Sequence, residues 1–287
     1  MRISGRTKIC GIIGCPINHT LSPFMHNIAF RELGLDFVYI AFEVKEENLN
    51  QAIKGIRSLG LVGLNVTVPY KEKVIQFLDE ISPEASDIGA VNTILNRQDR
   101  LVGYNTDGLG AIKALEENNI ELNEKRILLL GAGGAARSIA FYFSKNASEL
   151  LILNRNANRA KNLAEVLQKK YRENVRWNKL SKETIKNKID RTDILINATS
   201  VGMDSKSNDT LIDPNWLNSK MCVFDIVYSP IGTKLIRDAK TIGAKTIDGI
   251  DMLIYQGAIA FKIWTGKEAP MDIMKNAIMN EISEFRN

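Results

Sequence analysis

Residues 127–136 read ILLLGAGGAA, and an apolar stretch, RSIAFYF, follows directly. An aliphatic run that breaks into glycines and resumes as an apolar helix has few ways to fold. It makes a buried strand, a tight turn, and a helix lying back on the sheet. Gly131 permits the turn, Gly133 lets the backbone approach a pyrophosphate, and Ala136 lets the helix sit close to the sheet. Phosphates in that turn would face the helix N-terminus and its unpaired N–H groups. A glycine-rich turn with no ligand is the plain alternative. The strand before and the helix after give the G-x-G-x-x-A pattern its meaning.

The rest of the chain has to accommodate such a unit. At 287 residues with 45% hydrophobic content there is more chain than one typical domain needs. Strand-like and helix-like segments alternate throughout, so α/β layering with mostly parallel strands is expected. KICGIIG, FVYIAFEV and VGLNVTVP read as strands. SPFMHNIAFREL reads as a helix with Ser22 as cap and Pro23 at its first position. ENLNQAIKGIRSLG reads as a helix ending at glycine and KEKVIQFLDEI as another helix; AVNTILNRQDRLVGYNT reads as a hairpin-type pair of strands. Beyond the glycine turn, ELLILNRNANRAKNLAEVLQKKY is strand then helix, and DILINATS, CVFDIVYSP and AKTIDG are further strands. MLIYQGAIAFKIWTG is apolar nearly all round, which predicts a buried helix returning to the first unit. The expected architecture is two α/β domains with a cleft between them. Residues 1–108, completed by helices in 252–287, form a domain with a mixed, mostly parallel sheet. Residues 109–251 form a Rossmann-like domain, and the glycines of NTDGLGAIKAL offer a hinge.

Several function classes drop out. No run of eighteen apolar residues appears, so no membrane span is expected. MRISGRTKICGIIGCP lacks an apolar core with a small-residue cleavage site, so a cytoplasmic location is expected. Cys10, Cys15, His19 and His26 fit no metal-ligand spacing, and no metal is expected; with Cys222 the odd count of three cysteines argues for reduced thiols. The net charge of +5 is spread along the chain, without a recognition helix or aromatic RNA-binding signature. That favours small anionic ligands over nucleic acid.

The strand after the glycine turn ends LLILNRN. An NAD site usually carries an acid there for the ribose diol. Here stand Asn154, Arg155 and, a helical turn on, Arg159. Arginine forks match phosphate oxygens, so NADP is favoured over NAD. NVTVPYK, residues 65–71, alternates polar and apolar: Asn65 and Thr67 share a face, Pro69 turns the chain, and Lys71 follows at the strand end. Ligands bind at such ends, where a lysine can hold an anion or carry a proton; opening a charged helix is its plain alternative. Asn92, Thr93, Asn105, Thr106 and Asp107 are turn and cap residues by default. Thr20 and Ser22 precede a Pro-initiated helix, an arrangement suited to a carboxylate. Gln256 interrupts an apolar helix and needs a buried partner.

Taken together, NHTLSPFMHN, NVTVPYK, GAVNT, GYNTDG, GAGGAAR, NRNANRA, NATSVGM and DGIDMLIYQGAIAF occur in an order that resembles the shikimate dehydrogenase family over nearly the whole chain. The resemblance implies interconversion of 3-dehydroshikimate and shikimate with NADPH/NADP, in aromatic amino-acid biosynthesis, by a monomer or homodimer. It implies Lys71 and Asp107 as the catalytic pair, with Thr20 and Ser22 on the substrate carboxylate. Asn65, Thr67, Asn92, Asp107, Tyr228 and Gln256 would surround its hydroxyls. Gly131, Ala132, Gly133, Gly134 and Ala135 would take the pyrophosphate, and Asn154, Arg155 and Arg159 the adenosine 2′-phosphate side. Thr199, Ile226 and Gly249 would lie near the nicotinamide half. Thr20 stands where the family usually has serine, which makes the carboxylate end tighter, and Asn156 where it usually has threonine. Two other readings stay open: a quinate/shikimate dehydrogenase using NAD, and a non-catalytic NADP-binding sensor. An acid in place of Asn154 would have favoured the first, and loss of Lys71 or Asp107 the second.

Overall fold

A computed structural model describes residues 3–170, 174–203, 208–229 and 232–284. The chain divides into two compact units, Met1–Asp107 with Ile254–Asn287, and Gly108–Leu253.

The first unit is built on strands β1 (Lys8–Gly14), β2 (Phe37–Glu43), β3 (Gly63–Val66), β4 (Glu80–Ile81), β5 (Thr93–Arg97) and β6 (Arg100–Tyr104). They form one sheet in the order β2-β1-β3-β5-β6-β4. β1 runs parallel to β2 and β3, whereas β5 is antiparallel to both β3 and β6. The β5–β6 turn puts Gln98 and Asp99 at φ 52° and 65°, the two left-handed residues that a tight hairpin needs to match strand twist. Helices α1 (Ser22–Glu32), α2 (Leu49–Ser58) and α3 (Pro83–Ile88) come from the N-terminal part. Ile13, Leu64, Val66, Tyr70, Val74 and Ile94 are among the residues of one core cluster.

The second unit contains α4 (Asp107–Glu117, shared at its first residue), β7 (Arg126–Leu130), α5 (Gly134–Phe143), β8 (Glu149–Asn154), α6 (Ala157–Lys170), β9 (Val175–Lys179), α7 (Lys182–Ile189), β10 (Ile194–Asn197), β11 (Cys222–Asp225), α8 (Lys234–Thr241) and β12 (Lys245–Ile247). Its sheet is wholly parallel, in the order β12-β11-β10-β7-β8-β9. Counted from β7, that is the 3-2-1-4-5-6 order of doubly wound dinucleotide folds, with the switch point between β7 and β10. The chain leaves this unit within α9 (Gly249–Thr265) and ends in α10 (Met271–Glu284). Along α9 Lys262 alone is exposed, as the all-round apolar pattern predicts.

Three local expectations change. KEKVIQFLDEI is not an α-helix: Lys73–Phe77 is a 3₁₀ turn, and Glu80–Ile81 joins the sheet beside β6. The outer edge of β6 supplies partners, through Asp79 N–H to Leu101 O (3.0 Å) and Ser82 N–H to Gly103 O (2.8 Å), so ladder bonds override helix propensity. Ser22 is not the cap of α1. The cap position is Leu21, and the Ser22 N–H instead donates to Thr20 Oγ1 at 3.3 Å. The strands read from VGLNVTVP and CVFDIVYSP are shorter, ending at Val66 and Asp225, and Pro230 lies outside the described residues. Four further elements, α3, β9, α7 and α8, were not anticipated from the sequence; α3, β9 and α7 are short, and α8 carries an amphipathic stripe, Leu235, Ile236 and Ala239, that a strand-by-strand reading passes over.

Candidate active site

Lys71 lies in the turn after Pro69, before the 3₁₀ segment, where its carbonyl accepts from Val91 N–H at 2.7 Å. Its ammonium donates to Asp107 Oδ2 at 2.6 Å, and the two side chains are only 14% and 5% exposed. A pair so far out of water persists only if its remaining valences are met. Asn92 meets one, donating from Nδ2 to Asp107 Oδ1 at 2.8 Å. The Asn92 amide is itself locked: Oδ1 accepts from the Thr106 backbone N–H at 2.8 Å, and Nδ2 also reaches Thr106 Oγ1 (2.9 Å) and Gln256 Oε1 (3.3 Å). The polar break in α9 thus finds its partner at the head of β5.

Asn65, at 4% exposure near the end of β3, joins the same cluster. Its Nδ2 donates to Asn92 O (3.1 Å) and Thr93 Oγ1 (3.0 Å), and its Oδ1 accepts from the Tyr39 hydroxyl at 2.6 Å. Thr20 and Ser22, both buried, are joined to one another through their hydroxyls at 3.3 Å. Thr67 is half-buried one residue past β3, its methyl against the bare Gly14. Hydrogen bonds therefore bring together Asn65, Lys71, Asn92, Asp107 and Gln256, while Thr20 and Ser22 form a pair of their own. Sequence reasoning missed Tyr39 as part of this cluster. A tyrosine inside an apolar strand carries no mark that separates a polar tip at work from a core ring.

In the second unit the glycine turn stands at the switch point. Gly131 has φ 118°, and a Cβ there would come within 2.6 Å of Ala198 O, so only glycine fits. Gly133 caps α5 in an extended conformation, and a Cβ there would meet nothing within 4 Å. The open side of Gly133 and the N–H groups of the first turn of α5 suit a pyrophosphate. At the end of β8, Asn154 Nδ2 donates to Asn156 O at 2.9 Å, and Asn156 Oδ1 caps the start of α6 by accepting from Asn158 N–H at 3.1 Å. Arg155 and Arg159 are exposed beside that cap and suit a phosphate monoester. After β10, the Thr199 hydroxyl donates to Asn197 Oδ1 at 2.7 Å and accepts from Val201 N–H at 3.1 Å. Gly249 abuts Ile226, whose carbonyl oxygen would lie 2.3 Å from any Cβ at position 249. Tyr228 is half-buried two residues past Ile226.

Asp225 ties these loops together. It is fully buried, and its carboxylate accepts from Asn197 Nδ2 (2.9 Å), Val227 N–H (3.1 Å) and Thr233 Oγ1 (2.6 Å). Burial nevertheless dominates and pushes its pKa up to about 6. Among the described residues no helix is long and apolar enough to cross a membrane.

Comparison with known proteins accounts for this layout. Residues 12–94 match the shikimate dehydrogenase substrate binding domain, 113–250 the shikimate/quinate 5-dehydrogenase model, and 249–279 the shikimate 5′-dehydrogenase C-terminal domain. A shikimate dehydrogenase (NADP(+)) of Methanocaldococcus jannaschii is 45% identical, over 98% of this chain and 100% of the relative. A crystal structure of a shikimate dehydrogenase in complex with NADP+ superposes with a TM-score of 0.92 at 44% identity, covering 98% of each chain. A quinate dehydrogenase from Corynebacterium glutamicum in complex with NAD shares the fold at TM-score 0.87 and 30% identity, over 96% of this chain and 99% of the other. With 98% of its length matched at 45% identity, the chain belongs to the shikimate dehydrogenase family.

Proposed function

We propose that this protein catalyses the reversible NADPH-dependent reduction of 3-dehydroshikimate to shikimate, a step towards chorismate and the aromatic amino acids. The observation that carries the reading is the buried Lys71–Asp107 pair, held at the ends of sheet strands by Asn92. The nicotinamide, when bound, supplies the hydride. The protein supplies position and one proton. Lys71, as ammonium, gives a proton to the carbonyl oxygen and recovers one from the alcohol in the reverse direction. Asp107 keeps the amine in place and balances its charge.

The remaining roles follow from chemistry and family pattern together. Thr20 and Ser22 hold the substrate carboxylate through paired hydroxyls at the start of α1. Asn65, Thr67, Asn92, Tyr228 and Gln256 face the ring hydroxyls. Residues Gly131 to Ala135 take the pyrophosphate, Asn154, Arg155 and Arg159 the 2′-phosphate, and Thr199, Ile226 and Gly249 the nicotinamide half. A cytoplasmic setting agrees with the free thiols of Cys10, Cys15 and Cys222, and the active form is a monomer or homodimer, which sedimentation would distinguish.

The test is an initial-rate comparison of shikimate and quinate, each with NADP+ and NAD+, followed by the absorbance of the reduced coenzyme. Shikimate with NADP+ should give the highest kcat/KM. No reduced coenzyme from that pair would end the proposal, and a faster rate with quinate or NAD+ would reassign the specificity.

A further inference from the structure

The hydrogen bonds around Lys71 extend further than the site itself. They run in one direction from β2 to the ion pair. The Tyr39 hydroxyl donates to Asn65 Oδ1 (2.6 Å), Asn65 Nδ2 to Thr93 Oγ1 (3.0 Å), Thr93 Oγ1 to Asn92 Oδ1 (3.0 Å), and Asn92 Nδ2 to Asp107 Oδ1 (2.8 Å). Lys71 closes the path on the other carboxylate oxygen. Tyr39, Asn65, Thr93, Asn92 and Asp107 are all buried, at 0–4% exposure, so water cannot substitute for a missing link.

The polarity of the path is fixed at both amides. Asn92 presents Oδ1 to a backbone N–H, that of Thr106, and Asn65 presents Nδ2 to a backbone carbonyl, that of Asn92. Neither amide can flip without setting like against like. Asn65 Oδ1 can only accept, so the Tyr39 proton is committed to it. Both Asn65 N–H groups are spent on Asn92 O and Thr93, which leaves Asn65 able to accept from a bound hydroxyl but not to donate to one. Tyr39 is itself held. The Asn27 side chain bonds its backbone on both sides (2.8 and 2.9 Å), and the His26 ring stacks on its ring at 4.4 Å and 14°.

We propose that Tyr39 is a positioning residue for the reaction: acting through Asn65, Thr93 and Asn92, its hydroxyl sets the placement of the Asp107–Lys71 pair. This rests on the activity proposed above. Tyr39→Phe keeps the ring stack and removes only the first link. Without that donor the buried Asn65 oxygen is unsatisfied, and Asn65 moves to find another partner at the expense of Thr93 and Asn92.

The experiment is a double-mutant cycle on the full chain, with shikimate and NADP+. Wild type is assayed first; if it does not turn over, the activity reading fails and this inference falls with it. Given turnover, Tyr39→Phe should lower kcat about fivefold while KM for shikimate stays within about twofold. In an Asn65→Ala background the same change should have no further effect on kcat. Thr93→Val, which breaks a middle link with Tyr39 intact, should reproduce the kcat-selective loss, and it serves if Tyr39→Phe does not fold. Wild-type kcat in Tyr39→Phe, or in Thr93→Val where Tyr39→Phe does not fold, would overturn the proposal without touching the activity. So would an equal loss from Tyr39→Phe with and without Asn65, which would mark a general structural effect.

Discussion

Taken out of its fold, Lys71 is one of 38 lysines and arginines, most of them solvated. What distinguishes it is a carboxylate at 2.6 Å in a place where the lysine side chain is 14% exposed. Lys71→Ala removes the proposed proton carrier and strands a buried Asp107. The expected result is a fall in kcat of at least about 100-fold, with KM for shikimate changing far less. Removing one partner of a buried pair also lowers stability, which thermal unfolding of the same sample would register. Steady-state kinetics that leave kcat unchanged would remove Lys71 from the chemistry. Much at this scale was legible in the sequence. Gln256 stood out as a polar break in an apolar helix that needs a buried partner, and Asn65 as part of a polar row at a strand end, whereas Asn92, Thr93 and Asp107 read as turn and cap residues and only the family resemblance singled out Asn92 and Asp107. Tyr39 did not stand out at all, because a strand residue pointing inward looks the same whether its polar tip bonds a buried polar network or a stray carbonyl.

Elements were legible where two signals coincided. The aliphatic run and the glycines gave β7 and α5, and the alternating segment around the Gln98–Asp99 turn gave β5 and β6. They failed where tertiary partners decided the matter, as in 73–81, where the free edge of β6 drew the chain into a strand. The glycine turn also separates folding from binding. Gly131→Ala forces a left-handed residue to carry a Cβ 2.6 Å from Ala198 O, and should cost about 2 kcal/mol or more in urea unfolding. Gly133→Ala meets no atom within 4 Å and keeps an ordinary φ of −89°, so Tm should hold. Its methyl occupies the side from which a phosphate would approach. KM for NADP+ should therefore rise several-fold, and the Tm gain on adding NADP+ should shrink.

At the scale of the molecule, two buried groups, one in each unit, respond to acid in opposite senses. In the first, His26 is wholly buried, flanked by the Tyr39 and Phe261 rings, with no hydrogen-bond partner for either ring nitrogen among the described residues. Burial lowers its pKa from 6.5 to about 3. The unfolded chain therefore binds a proton that the folded chain refuses, and stability falls as pH drops from 6.5 towards 3, by as much as about 1.4 kcal/mol per unit. In the second, the raised pKa of Asp225 works the other way. The folded state takes up a proton first, so stability is regained as pH falls from about 6 to 3.8. His26→Leu should flatten the loss of unfolding free energy between pH 6.5 and 5, and Asp225→Asn should steepen it. Urea titrations at both pH values decide this, and identical slopes in all three proteins would show that neither group is held as described.

The discontinuity of the first unit bears on how the chain is made. Its core includes the buried Phe261, Trp264, Met274 and Ile278, which lie on α9 and α10, and α1 packs on α10. Those residues leave the ribosome only after the contiguous second unit has been synthesised. During translation Phe30 and His26 therefore wait without their aromatic neighbour Phe261 while residues 108–253 emerge as one contiguous unit. The first unit can therefore close only after the second has been made, and its unfinished core is the surface a chaperone would cover in the meantime.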